Sequence, residues 1–295
     1  MHITDRRKQS LSQHLLILLC LTISVVALFS SRNARRVEDS ANTQKTGVPG
    51  LVERIDSSHA IHAGYGVYPP YTLEDPNTRE VSGFSVDVMN YIARELNTTV
   101  VWHRLNWNTM AADLKRGEYD VIADPIFQTI PRAREFSFSE PYAYFADGIA
   151  VVKVKDARFN TFDDLDQSGI VIAVGKGWAS ESLVTTRFKN ATISPVQTST
   201  DLLQVFNEVV SGRADVAVAD GADAKRFVDE HSEKVKALWL DNPPAFLPAG
   251  FALRVDDSAG AEFLTIALRN MRLLGVLDAI AAKHGIILAP PPSTH

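Results

Sequence analysis

The chain has 295 residues, 45% of them hydrophobic, and a formal net charge of −5 at pH 7. That length accommodates two modest domains with a real core in each. The basic residues are scattered and the overall charge repels phosphate, which excludes an electrostatic footprint for nucleic acid. The one cysteine, Cys20, sits in an apolar N-terminal run, so the rest of the chain has neither disulfides nor a thiolate metal site.

Arg6, Arg7 and Lys8 precede an uncharged run over residues 15–29. The run is short for a spanning helix and has the length of the apolar centre of a secretory signal. Phe29 makes a poor cleavage site, and Leu19 before Cys20 argues against lipidation. Residues 1–30 are therefore read either as a signal peptide or as an uncleaved N-terminal membrane anchor; both export the body. Residues 31–58 are polar, mixed in charge and aperiodic, the pattern of a flexible linker. The tail 290–295 opens with three prolines and is expected to be disordered.

From Ala60 the pattern becomes regular. Residues 61–67 read as a strand entering the turn Tyr68-Pro69-Pro70-Tyr71, followed by a polar hairpin around Asp75-Pro76-Asn77. Gly83 opens a helix with Val88, Met89, Ile92 and Leu96 on one face, closed by Asn97. Residues 98–102 are a strand by composition. A short helix after Asn106 buries Met110 and Leu114 and stops at Gly117, and residues 120–123 form the next strand. The same grammar returns with a strand at 170–174, a helix at 180–188 and a strand at 192–196. Thr200-Asp201 then caps a helix carrying Leu202, Leu203, Phe206, Val209 and Val210, which ends at Gly212, and a buried strand covers 214–219. After a proline-rich stretch, residues 251–255 form a strand. The final helix sets Phe263, Ile266, Ala267 and Met271 on one side, with Leu274 and Leu277 beyond.

Gly117-x-x-Asp120-Val121 and Gly212-x-x-Asp215-Val216 echo each other. Each glycine falls where a helix C-terminus needs a left-handed residue, and each is followed by an aspartate-led strand. Two lobes of similar design follow, by duplication or by convergent loop chemistry. The last helix is expected to return to the first lobe, with crossings near 146–150 and 248–251. The boundaries are 59–147 plus 249–289 for lobe 1 and 148–248 for lobe 2.

The strand at 120–123 leads into a loop that delivers Arg132 to the strand's carboxyl end, where ligands bind in open α/β sheets. A guanidinium there is a planar, permanently charged fork suited to a carboxylate. The alternative is an ordinary salt bridge to a surface acid.

Four elements in order carry a resemblance: Tyr68-Pro69-Pro70-Tyr71; Gly83-Phe84-Ser85-Val86-Asp87-Val88; Gly117-x-x-Asp120-Val121-Ile122 through Thr129-x-x-Arg132 to Phe138-Ser139-x-Pro141-Tyr142; and Gly212-x-x-Asp215 with Asp220. The chain resembles family 3 bacterial extracellular solute-binding proteins, the amino-acid-binding components of ABC importers, over residues 61–285. The resemblance implies an α/β clamshell: two lobes, each a mixed sheet flanked by helices, joined by two crossing strands. It also implies a monomer, in the periplasm or otherwise outside the cytoplasm, that passes a small amino acid or related carboxylate to an ABC permease. It implies neither cofactor nor metal.

Carried over by position, Arg132 grips the α-carboxylate, Asp220 takes the α-ammonium, Tyr68 is the aromatic after the first strand, and Trp107 stacks on the ligand. Asp220 has a second reading as a helix cap, Tyr68 as turn packing, and the tryptophans as core. The chain departs from the family at Asp124-Pro125-Ile126-Phe127-Gln128, a loop without the usual hydroxyls, and at Trp178-Ala179-Ser180. Asp124 either supports Arg132 or starts a turn; Trp178 and Ser180 join the binding set. Trp107, Phe127 and Trp178 favour a ligand with an apolar or planar part, and Tyr65, standing where basic-ligand binders carry an acid, disfavours lysine and arginine.

A branch of the family consists of cyclohexadienyl dehydratases acting on prephenate or arogenate, with a glutamate near the position of Glu181 as general acid. Here the context before Glu181 differs, and a glutamate in a first helical turn has an electrostatic reason of its own. A further alternative is an anchored ligand-sensing domain acting through a partner. His59, His62, His103, His231 and His284 lack metal-ligand spacing.

Overall fold

The computed structural model describes residues 47–199, 201–286 and 288, and the elements below belong to the unit Pro49–His295. Helix α1, Leu51–Ser58, falls inside the stretch read as flexible linker. Eight residues rarely hold a helix alone. This one is held by tertiary contacts: Leu51 is fully buried, its N–H donates to Asp257 Oδ2 at 2.7 Å, and Arg54 Nε lies 2.5 Å from Asp120 Oδ1. The linker reading is thus corrected for 51–58. The signal or anchor segment, the first part of the linker and the tail 290–295 lie outside the described residues, as does Thr200.

The chain continues through β1 (Ala60–Tyr65), the hairpin β2 (Leu73–Glu74) and β3 (Val81–Ser82), and α2 (Phe84–Glu95). Next come β4 (Thr99–Arg104), α3 (Met110–Arg116), β5 (Val121–Phe127), a 3-10 turn at Arg132–Arg134, β6 (Phe136–Phe138) and β7 (Ala143–Asp147). It then enters a second sheet with β8 (Ile149–Lys153), β9 (Val171–Gly175), α4 (Ala179–Arg187) and β10 (Thr192–Val196). This part continues with α5 (Gln204–Ser211), β11 (Val216–Ala219), α6 (Gly221–Glu230) and β12 (Val235–Leu238). The return is made by β13 (Ala245–Arg254), α7 (Ser258–Leu273) and α8 (Val276–Lys283).

Among the described residues the first sheet runs β4-β1-β5-β13-β6, with β7 also on β13, and the second runs β10-β9-β11-β8-β12. β1 is parallel to β4 and β5, as β9 is to β10 and β11; β13 and β8 add antiparallel neighbours. The two sheets are therefore mixed and alike in plan, each the centre of one lobe. Gly117 and Gly212 end α3 and α5 in the left-handed region, at φ 75° and 77°. The aspartates after them make matching clamps. Asp120 accepts from the His62 N–H at the start of β1, and Asp215 from the Val171 N–H at the start of β9. Each also meets an arginine, Arg54 and Arg158.

The structure differs from expectation at several points. β5 continues through 124–127, so the segment read as a loop is strand. Pro125 is tolerated because β1 pairs only with Val121 and Ile122 of β5, and a bulge in β13 between Gly250 and Ala252 lies opposite. β13 already pairs with β7 at Ala245, earlier than the crossing expected at 248–251. Pro248 fits there because its carbonyl is what Gln128 N–H needs, at 2.8 Å. Leu96 and Ile266 are exposed; α7 buries the expected Met271 together with Leu264 and Leu268. Asp201 closes a turn onto the Leu203 N–H ahead of α5. His62 and His103, far apart in sequence, stack across the parallel β1–β4 pair, with Nδ1 and Nε2 2.9 Å apart.

Candidate functional site

The carboxyl ends of the parallel strands in both lobes face a shared cavity of about 500 Å³. The first lobe supplies Tyr68 after β1, Trp107 after β4, Pro125 and Phe127 from β5, and Arg132 from the 3-10 turn. The second supplies Trp178 and Ser180 at the start of α4, Thr198 after β10, and Asp220 and Asp223 at the start of α6.

Each lobe seats one indole on a glycine. A Cβ at Gly66 would lie 2.3 Å from Trp107 Cζ2, and one at Gly175 would lie 2.0 Å from Trp178 Cδ2. No residue but glycine leaves room for either ring. Trp178 Nε1 then donates to Thr198 Oγ1 at 3.1 Å, while the Trp107 backbone N–H crosses to the carbonyl of Ser199 at 3.2 Å.

Arg132 donates from Nη1 to the Phe127 carbonyl at 3.3 Å and from Nη2 to the Gly177 carbonyl, in the other lobe, at 3.1 Å. Both acceptors are main-chain oxygens, so the surface salt bridge considered for it is not what the guanidinium makes. Desolvation by the cavity walls lowers its pKa to about 10, with Asp147 and Glu135 opposing, and it stays charged at neutral pH.

Asp220 caps α6: its Oδ1 accepts from the N–H groups of Ala222 and Asp223, at 2.9 and 3.1 Å. The same oxygen accepts the Tyr68 hydroxyl at 3.0 Å, a bond between lobes. The capping reading therefore holds at a residue that also lines the cavity. Burial raises the Asp220 pKa against these donors, and burial followed by the Asp220 charge holds the Tyr68 phenol well above its ordinary range. Sequence reasoning missed Asp223. One helical turn on from the start of α6, it is buried in the cavity wall and accepts from Arg226 Nη2 at 3.0 Å. Burial and the neighbouring Asp220 push its carboxyl well up. The Asp-x-x-Asp spacing, which places both side chains at one helix N-terminus, was the available signal.

Ser180 Oγ donates to Asp147 Oδ1 at 2.5 Å. Asp147 ends β7 where the chain crosses between lobes, and it is fully buried. Burial pushes it up to about 6, against hydrogen bonds from Ser180 and the Gly148 N–H. Asp124 is placed elsewhere. It is fully buried, accepts from the Gly66 N–H on one oxygen and the Thr72 hydroxyl on the other, and is absent from the cavity wall. Its burial pushes the carboxyl up to about 7. The Glu181 carboxylate turns back to accept the Gly177 N–H at 2.6 Å. Among the described residues no group of three His, Cys, Asp or Glu side chains could hold a metal ion.

The sequence model of the bacterial extracellular solute-binding proteins, family 3, matches residues 61–286. The chain belongs to that family. This solute-binding protein is 23% identical to a probable amino-acid ABC transporter-binding protein of Haemophilus influenzae, over 79% of this chain and 87% of the relative. It is 27% identical to the cyclohexadienyl dehydratase of Pseudomonas aeruginosa, over 70% of this chain and 76% of the enzyme. Among solved structures, an ancestral amino-acid-binding protein described as a precursor of cyclohexadienyl dehydratase is similar with a TM-score of 0.67 and 26% identity, covering 79% of this chain and 98% of that one. The two-lobe clamshell and the extracytoplasmic, solute-binding character of the family apply to this chain.

Proposed function

We propose that this solute-binding protein captures an amino acid or a closely related carboxylate between its lobes and passes it to an ABC permease. The observation that carries the reading is Arg132. It is a charged fork in the cavity wall whose guanidinium, among the described residues, bonds to two carbonyls, with the acidic pair Asp220 and Asp223 lining the same cavity from the other lobe. Charge-assisted hydrogen bonds at the two ends suit a zwitterion, and a ligand that touches both lobes favours their closed arrangement. The names of the relatives support the same ligand class. In this reading Tyr68 positions Asp220, the two indoles hold the apolar part of the ligand, and Asp124 braces the Gly66 N–H and the Thr72 hydroxyl behind the wall. Residues 1–30 export the body, as a signal or an anchor.

The dehydratase reading draws on one relative. Against it, the Glu181 carboxylate is engaged by the Gly177 N–H and is not part of the cavity wall. A thermal-shift screen with the twenty proteinogenic L-amino acids, prephenate and arogenate tests the proposal. A binding amino acid should raise the melting temperature by mass action. Arg132→Ala should weaken it about 100-fold or more, the loss of a bidentate charged contact, without changing the circular dichroism. Unchanged affinity in that variant, or turnover of prephenate or arogenate, would refute the assignment.

A further inference from the structure

The crossing residue Asp147 carries an anomaly. It is fully buried, yet its Oδ2 has no hydrogen-bond partner among the described residues. An unsatisfied buried carboxylate oxygen is costly, so its presence calls for a reason. Its other oxygen takes the proton of Ser180, and Ser180 lines the cavity with its side chain almost wholly enclosed.

A serine hydroxyl has one proton and two lone pairs. With the proton committed to Asp147, Ser180 Oγ has only lone pairs to offer the cavity. The usual expectation at a helix N-terminus is the reverse, a hydroxyl and free N–H groups supporting an anion. At α4 that expectation is weakened by charge: the Glu181 carboxylate sits over the entry to the helix, on the Gly177 N–H just ahead of its cap, and the Asp147 charge lies behind Ser180.

We propose that Asp147 is a positioning residue that fixes Ser180 as an acceptor, so that Ser180 reads an N–H donor on the ligand rather than supporting its carboxylate. The inference rests on the amino-acid reading above and deepens it. The second lobe then presents acceptors (Ser180 Oγ and the Asp220–Asp223 pair) to the cationic end of the ligand. Arg132 alone in the first lobe presents a charged donor to the anionic end. Groups facing Asp147 are consistent with this: Ser180 donates to it, the adjacent Gly148 N–H favours its charge, and the charges of Arg132 and Asp220 act on it with opposite sign. At pH 7.5 Asp147, held near 6, is ionised and can only accept.

The test compares each L-amino acid that binds in the screen with its des-amino carboxylic acid, by calorimetry on the wild type, Ser180→Ala and Asp147→Asn. Ser180→Ala should weaken the amino acid about tenfold or more, the range for a hydrogen bond to a charged group, and leave the des-amino acid unchanged. Asp147→Asn should lower the same ratio, because the hydroxyl is no longer held by a charge. A loss of general fit would weaken both probes alike and leave the ratio where it was. Equal losses for the two probes would overturn the inference while leaving the amino-acid reading intact. Binding by none of the twenty amino acids would overturn both. An Asp147→Asn variant that retains the wild-type ratio, with Ser180→Ala lowering it, would remove Asp147 from the scheme.

Discussion

Gly175→Ala isolates one contact in the cavity wall. Gly175 is an extended strand residue, so alanine meets no backbone penalty and in a sheet gains about 0.5–1 kcal/mol over glycine. The new Cβ, however, would lie 2.0 Å from Trp178 Cδ2 and Cε2 and 2.4 Å from Nε1. Ordinary carbon contacts begin at about 3.5 Å, so the indole must withdraw by roughly 1.5 Å. That movement breaks its bond to Thr198 Oγ1 and forces repacking of the ring. Overpacking of this kind and one lost hydrogen bond together predict a destabilisation of about 2–4 kcal/mol. Urea unfolding followed by far-ultraviolet circular dichroism gives the value through the midpoint and slope. The decisive measurement is a double-mutant cycle with Trp178→Ala. Without the indole the three atoms nearest the added methyl are gone, and most of the cost of Gly175→Ala should disappear. If its cost is the same with and without Trp178, the glycine is not a seat for the ring.

Two further outcomes follow from buried groups. Asp124 has a folded-state pKa of about 7, above its unfolded value; this stabilising contribution is complete at low pH and is lost as pH rises through 7. Asp124→Asn should flatten the melting temperature between pH 5 and pH 8, and a variant as pH-sensitive as the wild type would count against a protonated Asp124. A chain starting at Ser57 should be less stable than one starting at Gly47 by about 3–5 kcal/mol, because it loses buried Leu51 and strands Asp120 without Arg54. Equal denaturation midpoints would show α1 to be dispensable.

What could be read in the residues was what local chemistry dictates. The glycines after α3 and α5 announced left-handed caps, and the aspartates after them announced strand starts; the structure adds that both aspartates clamp the neighbouring strand in the same way. The place of Arg132 in the cavity wall was legible because the segment after the buried strand carries it to that strand's carboxyl end. What was not legible depends on partners far away in sequence. The apolar pattern of α1 is too thin to signal a helix, and its anchor, Asp257, lies 206 residues on. The strand at 124–127 was obscured because proline reads as a breaker unless the bulge opposite is known. The His62–His103 stack and the indole seats exist only through sheet register and close backbone approach. The loneliness of Asp147 Oδ2 is a fact about packing, which no spacing encodes.

Three of the bonds that join the lobes among the described residues differ in what they ask of the sequence. Tyr68 to Asp220 needs two particular side chains; Arg132 to Gly177 needs one; Trp107 to Ser199 runs from backbone to backbone and needs none. Shutting the clamshell and choosing what it shuts on are therefore partly independent inheritances. Substitutions that retune the walls for another solute can accumulate while the main-chain strap survives. A scaffold wired this way can change its diet before it loses its grip.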